Sequence, residues 1–196
     1  MRRLASRIAS DTRGATIVEF ALVAPVLLMA TMGIFDLGYN TYTTAMLRGS
    51  IQQAARGATI EGSQMQSAQL DAIVASAVHA VVPGATMTFT RKSYASFSKV
   101  GQPEDYTDVN GDGTCDAGEP FEDANRNGTW DRDRGRSGQG GARDAVLYTV
   151  DVTYPRAFPI APLIGMSPTF TARAKTVLRN QPYNVQDQTS VTGNCP

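Results

Sequence analysis

The longest run of apolar positions lies at residues 14–37, which read GATIVEFALVAPVLLMATMGIFDL. Glu19 is the only charged residue in this run before Phe35. An α-helix rises about 1.5 Å per residue, so this run is long enough to cross the hydrocarbon layer of a bilayer. The pattern therefore predicts a leader at 1–14 and a transmembrane helix at 15–37.

Beyond this segment, the spacing of apolar residues stays helical up to Val81 and becomes strand-like from residue 86. Leu47 and Ile51 continue the first helix, and a second helix opens at a capping-box pattern in 63–66 and carries an apolar stripe to Val81. Alternating positions then predict three strands, at 86–94, 145–154 and 169–179. Strands with one polar and one apolar face form an antiparallel sheet that helices cover on one side. The predicted fold class is α+β, with a long N-terminal transmembrane helix, a second helix and a small antiparallel three-stranded sheet.

The predicted folded region spans 38–183 and is followed by a polar tail at 184–196. It contains an acidic, glycine-rich segment at 101–141, which is named the insertion because the family that the chain resembles lacks it. A proline-rich, apolar connection at 155–168 precedes the last strand. This connection either packs against the domain or the membrane surface, or it provides a docking site for a partner. The pattern leaves both readings open.

The distribution of charge predicts how the chain is oriented. With 18 Lys and Arg against 18 Asp and Glu, the net charge is zero, and nothing global indicates a nucleic-acid partner. The leader is arginine-rich, whereas no basic residue follows the apolar run until Arg48. The positive-inside rule therefore keeps the N-terminus cytoplasmic and exports the rest. Cys115 and Cys195 then lie in an oxidising compartment, either as one disulfide or as two free or separately paired thiols.

The junction between leader and helix resembles a known processing site. Residues 13–20, RGATIVEF, look like the junction of type IV pilin-like proteins, in which a basic leader and a glycine precede a hydrophobic helix. The longer stretch TRGATIVEFALVAPVLL is similar to the opening of TadE/TadG-like proteins of the tight-adherence pilus. Residues 177–183 also resemble the end of that domain, whereas the insertion has no counterpart in it.

The resemblance implies that a prepilin peptidase cuts after Gly14 and leaves Ala15 as the new N-terminus. It implies a minor pilin or pseudopilin in which Glu19, next to Phe20, meets the terminal amine of a neighbouring subunit. The implied partners are other pilin-like subunits and the pilus assembly machinery, at a bacterial inner membrane with the domain in the periplasm. TadG-like proteins that keep their N-terminus share part of the pattern, so a permanent anchor stays open.

The insertion concentrates negative charge, because ten of the 18 acidic residues lie between 104 and 133. Residues 108–119, the first acidic loop, match the twelve-residue EF-hand pattern, with glycine at position 6 where the chain must turn sharply. Calcium needs six to eight oxygen ligands, and this spacing supplies them. The candidate ligands are Asp108, Asn110, Asp112, Thr114, Asp116 and Glu119.

Residues 123–134, the second acidic loop, repeat the pattern but place Arg134 where the twelfth ligand belongs. The candidate ligands are Asp123, Asn125, Asn127, Thr129 and Asp131. Asp133 or Glu122 is the candidate replacement for the missing carboxylate. Calcium is therefore the predicted cofactor, against the alternative of a flexible acidic segment.

Three functional classes follow from these patterns. The first is a non-enzymatic, pilin-like subunit that helps assemble an adhesive pilus and presents a calcium-ordered insertion. The second is a permanently anchored periplasmic calcium-binding module that contacts envelope partners. An enzyme is the third class and is disfavoured, because His79 is the only histidine, lies off the apolar stripe of its helix, and neither cysteine has a local partner suited to nucleophilic chemistry.

Overall fold

The computed structural model describes residues 13–60, 67–116, 118–158, 160–180 and 189–196, with side chains of the first helix described from 16 to 56. Most of the leader, the capping-box pattern at 63–66 and the end of the C-terminal resemblance at 181–183 lie outside this part of the chain. The chain divides into two compact units. The first unit comprises Met1–Tyr42 and Pro155–Phe170, and the second comprises Thr43–Tyr154 and Thr171–Pro196.

The first unit is built on the N-terminal part of helix α1, Arg13–Ile60, in which residues 20–35 carry no charge and are almost entirely apolar. Its large apolar side chains are mostly solvent-exposed, among them Ile17, Leu22, Leu28 and Ile34. A helix that is hydrophobic all round must bury that surface in something other than water. Within the described residues, α1 is the one helix long and apolar enough to cross a membrane, which fits a single-pass membrane protein.

The second unit has a core between helix and sheet. Helix α2, Ser67–His79, buries Leu70, Val74 and Val78 at helical spacing. The C-terminal part of α1 buries Leu47 and Ile51. The stripes that the sequence shows on both helices are therefore core faces.

Six strands form two sheets in the part of the chain that the structure describes. In chain order they are β1 Thr86–Tyr94, β2 Pro120–Asp123, β3 Arg136–Ser137, β4 Ala145–Pro155, β5 Thr169–Arg179 and β6 Val191–Asn194. The larger sheet has the order β3-β1-β4-β5, and β1 runs antiparallel to β4 with Phe89 opposite Val150. Strand β4 alternates between buried and half-buried positions, as its sequence pattern predicts.

The prediction of a three-stranded sheet is wrong, because the sheet has four strands. The additional strand, β3, is only two residues long and pairs with the edge of β1 through Lys92 and Ser137. A strand of two residues has no period, so the alternation of apolar and polar residues cannot reveal it. Strands β2 and β6 form a second, two-stranded sheet at the insertion.

A buried polar cluster joins α2 to the larger sheet. Asp71 in α2 accepts hydrogen bonds from Arg91 at 2.5 Å and from the Tyr148 hydroxyl at 2.6 Å. The Arg91 guanidinium also lies over the Tyr148 ring, 4.6 Å from its centroid. Burial, and then the hydrogen bond to Asp71, raise the pKa of Tyr148 well above its ordinary value. These contacts fix the helix against the sheet from which the insertion projects.

Candidate functional site

The candidate processing and assembly residues lie at the start of α1. Gly14 and Ala15 fall within the helix, and Glu19 and Phe20 are exposed on its apolar segment. An exposed carboxylate on a segment of this kind is costly in lipid unless it finds a partner. The arrangement leaves Glu19 accessible from the side of the helix.

The first acidic loop is organised around the carboxylates of its first and twelfth residues. Asp108 accepts hydrogen bonds from the backbone N–H groups of Gly111 at 2.6 Å and Gly113 at 2.9 Å. Glu119 is 3% exposed, and its Oε1 accepts from the amides at loop positions 2 and 3, at 2.7 and 3.3 Å. Its Oε2 accepts from the amide at loop position 9, at 3.4 Å. The backbone is thus wrapped around Glu119.

The second acidic loop has the same arrangement, but its closing carboxylate comes from outside the loop. Glu104 is 1% exposed, and its Oε1 accepts from the amides at loop positions 2 and 3, at 2.9 and 3.4 Å. Its Oε2 accepts from the amide at loop position 9, at 3.0 Å. Glu104 therefore makes, in the second loop, the three contacts that Glu119 makes in the first.

The residues proposed to replace the twelfth ligand have other partners. Asp133 accepts from Lys92 at 2.6 Å and from the Tyr94 hydroxyl at 2.8 Å. Glu122 pairs at 2.8 Å with Arg134, which also binds Asp105 at 2.9 Å. Neither Asp133 nor Glu122 closes the second loop. Sequence reasoning missed Glu104 because it precedes that loop by 19 residues, and no motif of fixed spacing includes it.

Hydrogen bonds from Arg134, and then from Lys99, hold the pKa of Asp105 at about 2. Hydrogen bonds from Thr114 lower the pKa of Asp112. Both acids are therefore held in the charged form well below neutral pH. The basic side chains offset part of the repulsion among the carboxylates of the insertion.

Side-chain amides donate hydrogen bonds to carboxylates inside both loops. Asn110 donates to Asp112 and Asp116 at 3.0 and 3.2 Å, and Asn125 and Asn127 both donate to Asp131, at 2.7 and 2.6 Å. Among the described residues, no group of three or more His, Cys, Asp and Glu side chains is arranged to hold a metal ion. A cation could enter only if these amides turned to present their oxygens.

The C-terminal segment and an aromatic pair pack around the loops. A disulfide joins Cys115 to Cys195, and the Cys195 amide donates to the Glu119 carbonyl at 2.8 Å. Trp130 donates from its indole to the Glu104 carbonyl at 2.9 Å, and its ring meets the edge of Tyr106 at 5.6 Å between centroids. The disulfide therefore ties the C-terminal segment to the first loop, and Trp130 ties the second loop to the residues just before the first.

Comparison with known families locates a relationship at the N-terminal helix. Residues 14–56 match the model of the family described as TadE-like protein. The TadE-like resemblance predicted from the sequence is thereby confirmed. No curated protein and no solved structure gives a match to the chain. The TadE-like segment covers the apolar part of α1 and its continuation to Arg56, so it includes Glu19 and ends before the insertion.

The TadE-like match and the apolar helix together support membrane association and a role connected with the tight-adherence pilus. Proteins of this pilus-associated family are typically non-enzymatic. The match does not extend to the acidic loops or the C-terminal strands.

Proposed function

We propose that this chain is a pilin-like minor subunit or assembly component of a tight-adherence pilus, with a calcium-stabilised insertion. The observation that carries the proposal is the TadE-like match over 14–56, which coincides with an apolar, exposed helix bearing Glu19. The proposed location is the bacterial inner membrane, with the N-terminus cytoplasmic and the second unit periplasmic. Its partners are pilin-like subunits, the assembly machinery and a prepilin peptidase.

The assembly role assigns a lateral contact to Glu19. After cleavage behind Gly14, the ammonium of Ala15 in one subunit would neutralise Glu19 in the next, and the exposed Phe20 would pack beside this pair. A charge in the apolar layer costs roughly 2.5–3.5 kcal/mol at the helix centre and less toward the interface. Pairing with a neighbour removes part of that cost, so it favours association of helices over isolated insertion.

Mass spectrometry of the mature N-terminus tests this assignment. A chain that starts at Ala15 is expected, and Gly14→Val should abolish the cleavage. Gly38→Val is the matched control, because a Cβ added at Gly38 meets open space in the same helix. A mature protein that retains its arginine-rich leader would contradict the cleaved-subunit proposal.

A second test separates assembly from membrane insertion. Glu19→Gln should leave the chain in the membrane fraction but reduce its cross-linking to other pilus components. Thr31→Val is the control, since Thr31 is another exposed polar residue of α1 that bonds only within its own helix, to the Leu27 carbonyl at 2.8 Å. If Glu19→Gln cross-links to other pilus components as much as Thr31→Val and the unmodified chain do, the proposed role of Glu19 is refuted.

The second candidate function is a permanently anchored calcium-binding module that contacts envelope partners. What favours it is the pair of acidic loops, each closed by a buried glutamate. This candidate predicts an intact leader and a domain that responds to calcium without joining a filament. The N-terminal mass therefore distinguishes the two candidates directly.

Calcium binding is proposed for both candidates. The donor set fits a hard cation, because each loop offers carboxylate, amide and backbone oxygens with glycine at the sharp turn, where Gly113 and Gly128 have φ of 79° and 80°. On binding, the Asn amides would have to rotate, and Glu119 and Glu104 would give their carboxylates to the metal. The ion would then neutralise a segment that otherwise repels itself.

Thermal unfolding of the full chain in detergent, with calcium or with a chelator, tests this proposal. A ligand at about 100 times its dissociation constant stabilises the native state by about 2.7 kcal/mol, so calcium should raise the unfolding temperature measurably. Glu119→Gln should weaken the response, and Glu122→Gln, on an ion-paired surface carboxylate, should preserve it. Identical melting with calcium and with chelator would overturn calcium binding while leaving the pilus assignment standing.

A further inference from the structure

The connection between β4 and β5 folds back as a closed loop within the first unit. Its neck is the pairing of Arg156 with Ser167 and Pro168: the Arg156 amide donates to the Pro168 carbonyl at 2.9 Å, and its guanidinium donates to the Ser167 carbonyl at 3.1 Å. Its tip is 160–165, which includes a 3-10 turn at Ala161–Ile164. Gly165 ends this turn in the left-handed region, with φ of 74°.

Successive residues of the loop contact successively earlier residues of α1. At the neck, the Arg156 guanidinium pairs with Asp36. Two residues on, the Phe158 ring stacks on Phe35 with centroids 6.1 Å apart.

The next contact of the loop lies still closer to the N-terminus of α1. A Cβ added at Gly33 would lie 4.0 Å from Ile160 Cδ1, so Ile160 packs close to this glycine. From Asp36 to Gly33 is three residues, or about 4.5 Å along the helix axis. The loop thus runs from its neck toward the apolar segment of α1, with its tip at or beyond the level of Gly33.

The ion pair at the neck is almost enclosed. The Asp36 and Arg156 side chains are only 9% and 11% exposed, and Asn40 donates a further hydrogen bond to Asp36 at 3.0 Å. Two buried charges are costly unless they pair closely, and here they pair at the position where the uncharged stretch of α1, residues 20–35, ends. The neck therefore marks a polar boundary on α1, and the tip lies on the apolar side of that boundary.

The tip presents apolar side chains outward. Leu163 is 74% exposed and Ile164 is 60% exposed, and Met166 is exposed beside them. No residue from 157 to 172 carries a charge. Ile34 and Leu37, on the part of α1 that the loop contacts, are exposed as well. An exposed apolar patch of this kind marks a surface that contacts something other than water, such as a membrane or another protein.

We propose that the tip of this loop inserts into the hydrocarbon edge of the membrane leaflet that surrounds the outer end of the apolar segment of α1. The inference rests on the proposed membrane-spanning role of α1 and adds a second, non-helical lipid contact. The occupant is lipid because the patch shares its depth and chemistry with the helix surface beside it. The loop would thereby fix the first unit at a set height and rotation relative to the bilayer.

Tryptophan fluorescence in nanodiscs that contain brominated phosphatidylcholine tests the proposal, with the full chain at one copy per disc. The test variant is Leu163→Trp, and the exposed position should tolerate the larger ring. Leu22→Trp reports on the spanning segment, and Tyr42→Trp reports on α1 beyond the neck. The unmodified chain, whose single tryptophan is Trp130, provides the baseline.

Leu163→Trp should emit at shorter wavelength than Tyr42→Trp and should be quenched, more by bromines near the headgroup than by bromines near the chain end. Quenching of Leu22→Trp without quenching of Leu163→Trp would overturn the loop inference and leave the membrane helix intact. If neither Leu22→Trp nor Leu163→Trp is quenched, both the loop inference and the membrane-spanning role of α1 are overturned. A blue-shifted but unquenched Leu163→Trp would mean that protein, not lipid, covers the tip, and would also overturn the inference.

Discussion

Replacing Glu104 by glutamine tests whether this residue closes the second acidic loop. The carboxylate accepts three backbone hydrogen bonds, at 2.9, 3.0 and 3.4 Å, and is 1% exposed. Glutamine has one acceptor oxygen, so its amide must face at least one buried N–H group. A hydrogen bond to a charged group contributes about 1.5–3 kcal/mol, and the remaining contacts lose their charge assistance. We therefore expect Glu104→Gln to cost about 2–4 kcal/mol.

The assay is urea unfolding of the full chain in nanodiscs, followed by the fluorescence of Trp130. This side chain reports locally, because its indole donates to the Glu104 carbonyl. Glu122→Gln is the control, since Glu122 is half-exposed and its partner Arg134 keeps a second carboxylate. That variant should stay within about 1 kcal/mol of the wild type.

The same pair of variants separates loop closure from calcium binding. With a chelator present, the loss in Glu104→Gln measures the backbone hydrogen bonds alone. With calcium present, the difference from the wild type should widen, because one ligand of the second loop is weakened. If Glu104→Gln and Glu122→Gln unfold at the same urea concentration in both conditions, the assignment of Glu104 as the closing carboxylate is wrong.

Three further predictions concern contacts near the loops: the disulfide, the packing of Gly193 on Phe121, and the ion pairs of Asp105. Cys195→Ser should lower the free energy of unfolding by about 2–5 kcal/mol, and Cys115→Ser should give the same urea midpoint if the two act only through their disulfide. Gly193→Ala should cost about 1–3 kcal/mol in the same measurement, because the new Cβ would lie 2.5 Å from atoms of the Phe121 ring. Asp105, whose pKa is held at about 2, contributes stability that is present above its unfolded value near pH 4 and is lost as the pH falls through about 2. Asp105→Asn should therefore flatten the acid limb of the stability profile, by less than about 1 kcal/mol because the group is exposed.

The sequence predicted the long elements because their periods are long enough to read. The apolar run of α1, the stripe of α2 and the alternation in β1, β4 and β5 each extend over many residues. The two-residue strand β3 and the β2–β6 pair have no such period. Their pairing depends on contacts between distant segments, which local pattern does not encode.

The second acidic loop shows the same limit at the level of a site. The spacing from Asp123 places Arg134 at the twelfth position, where a carboxylate ligand belongs. The nearby carboxylates considered as replacements are taken by ion pairs. Glu104 reaches the loop through the tertiary fold, since its own amide bonds to the Asp131 carbonyl at 3.0 Å. This contact and the bond from the Trp130 indole to the Glu104 carbonyl join distant parts of the sequence, and together they hold Glu104 beside the loop.

A loop closed from a distance cannot be transplanted as a cassette. Grafting residues 123–134 into another scaffold would leave the amides at positions 2, 3 and 9 without their acceptor, whereas 108–119 carries its own glutamate. Genome scans that require twelve contiguous residues would likewise count one such loop in this chain and pass over the other. A pattern that allows the final acid to come from an upstream strand or turn would recover loops of this split type elsewhere.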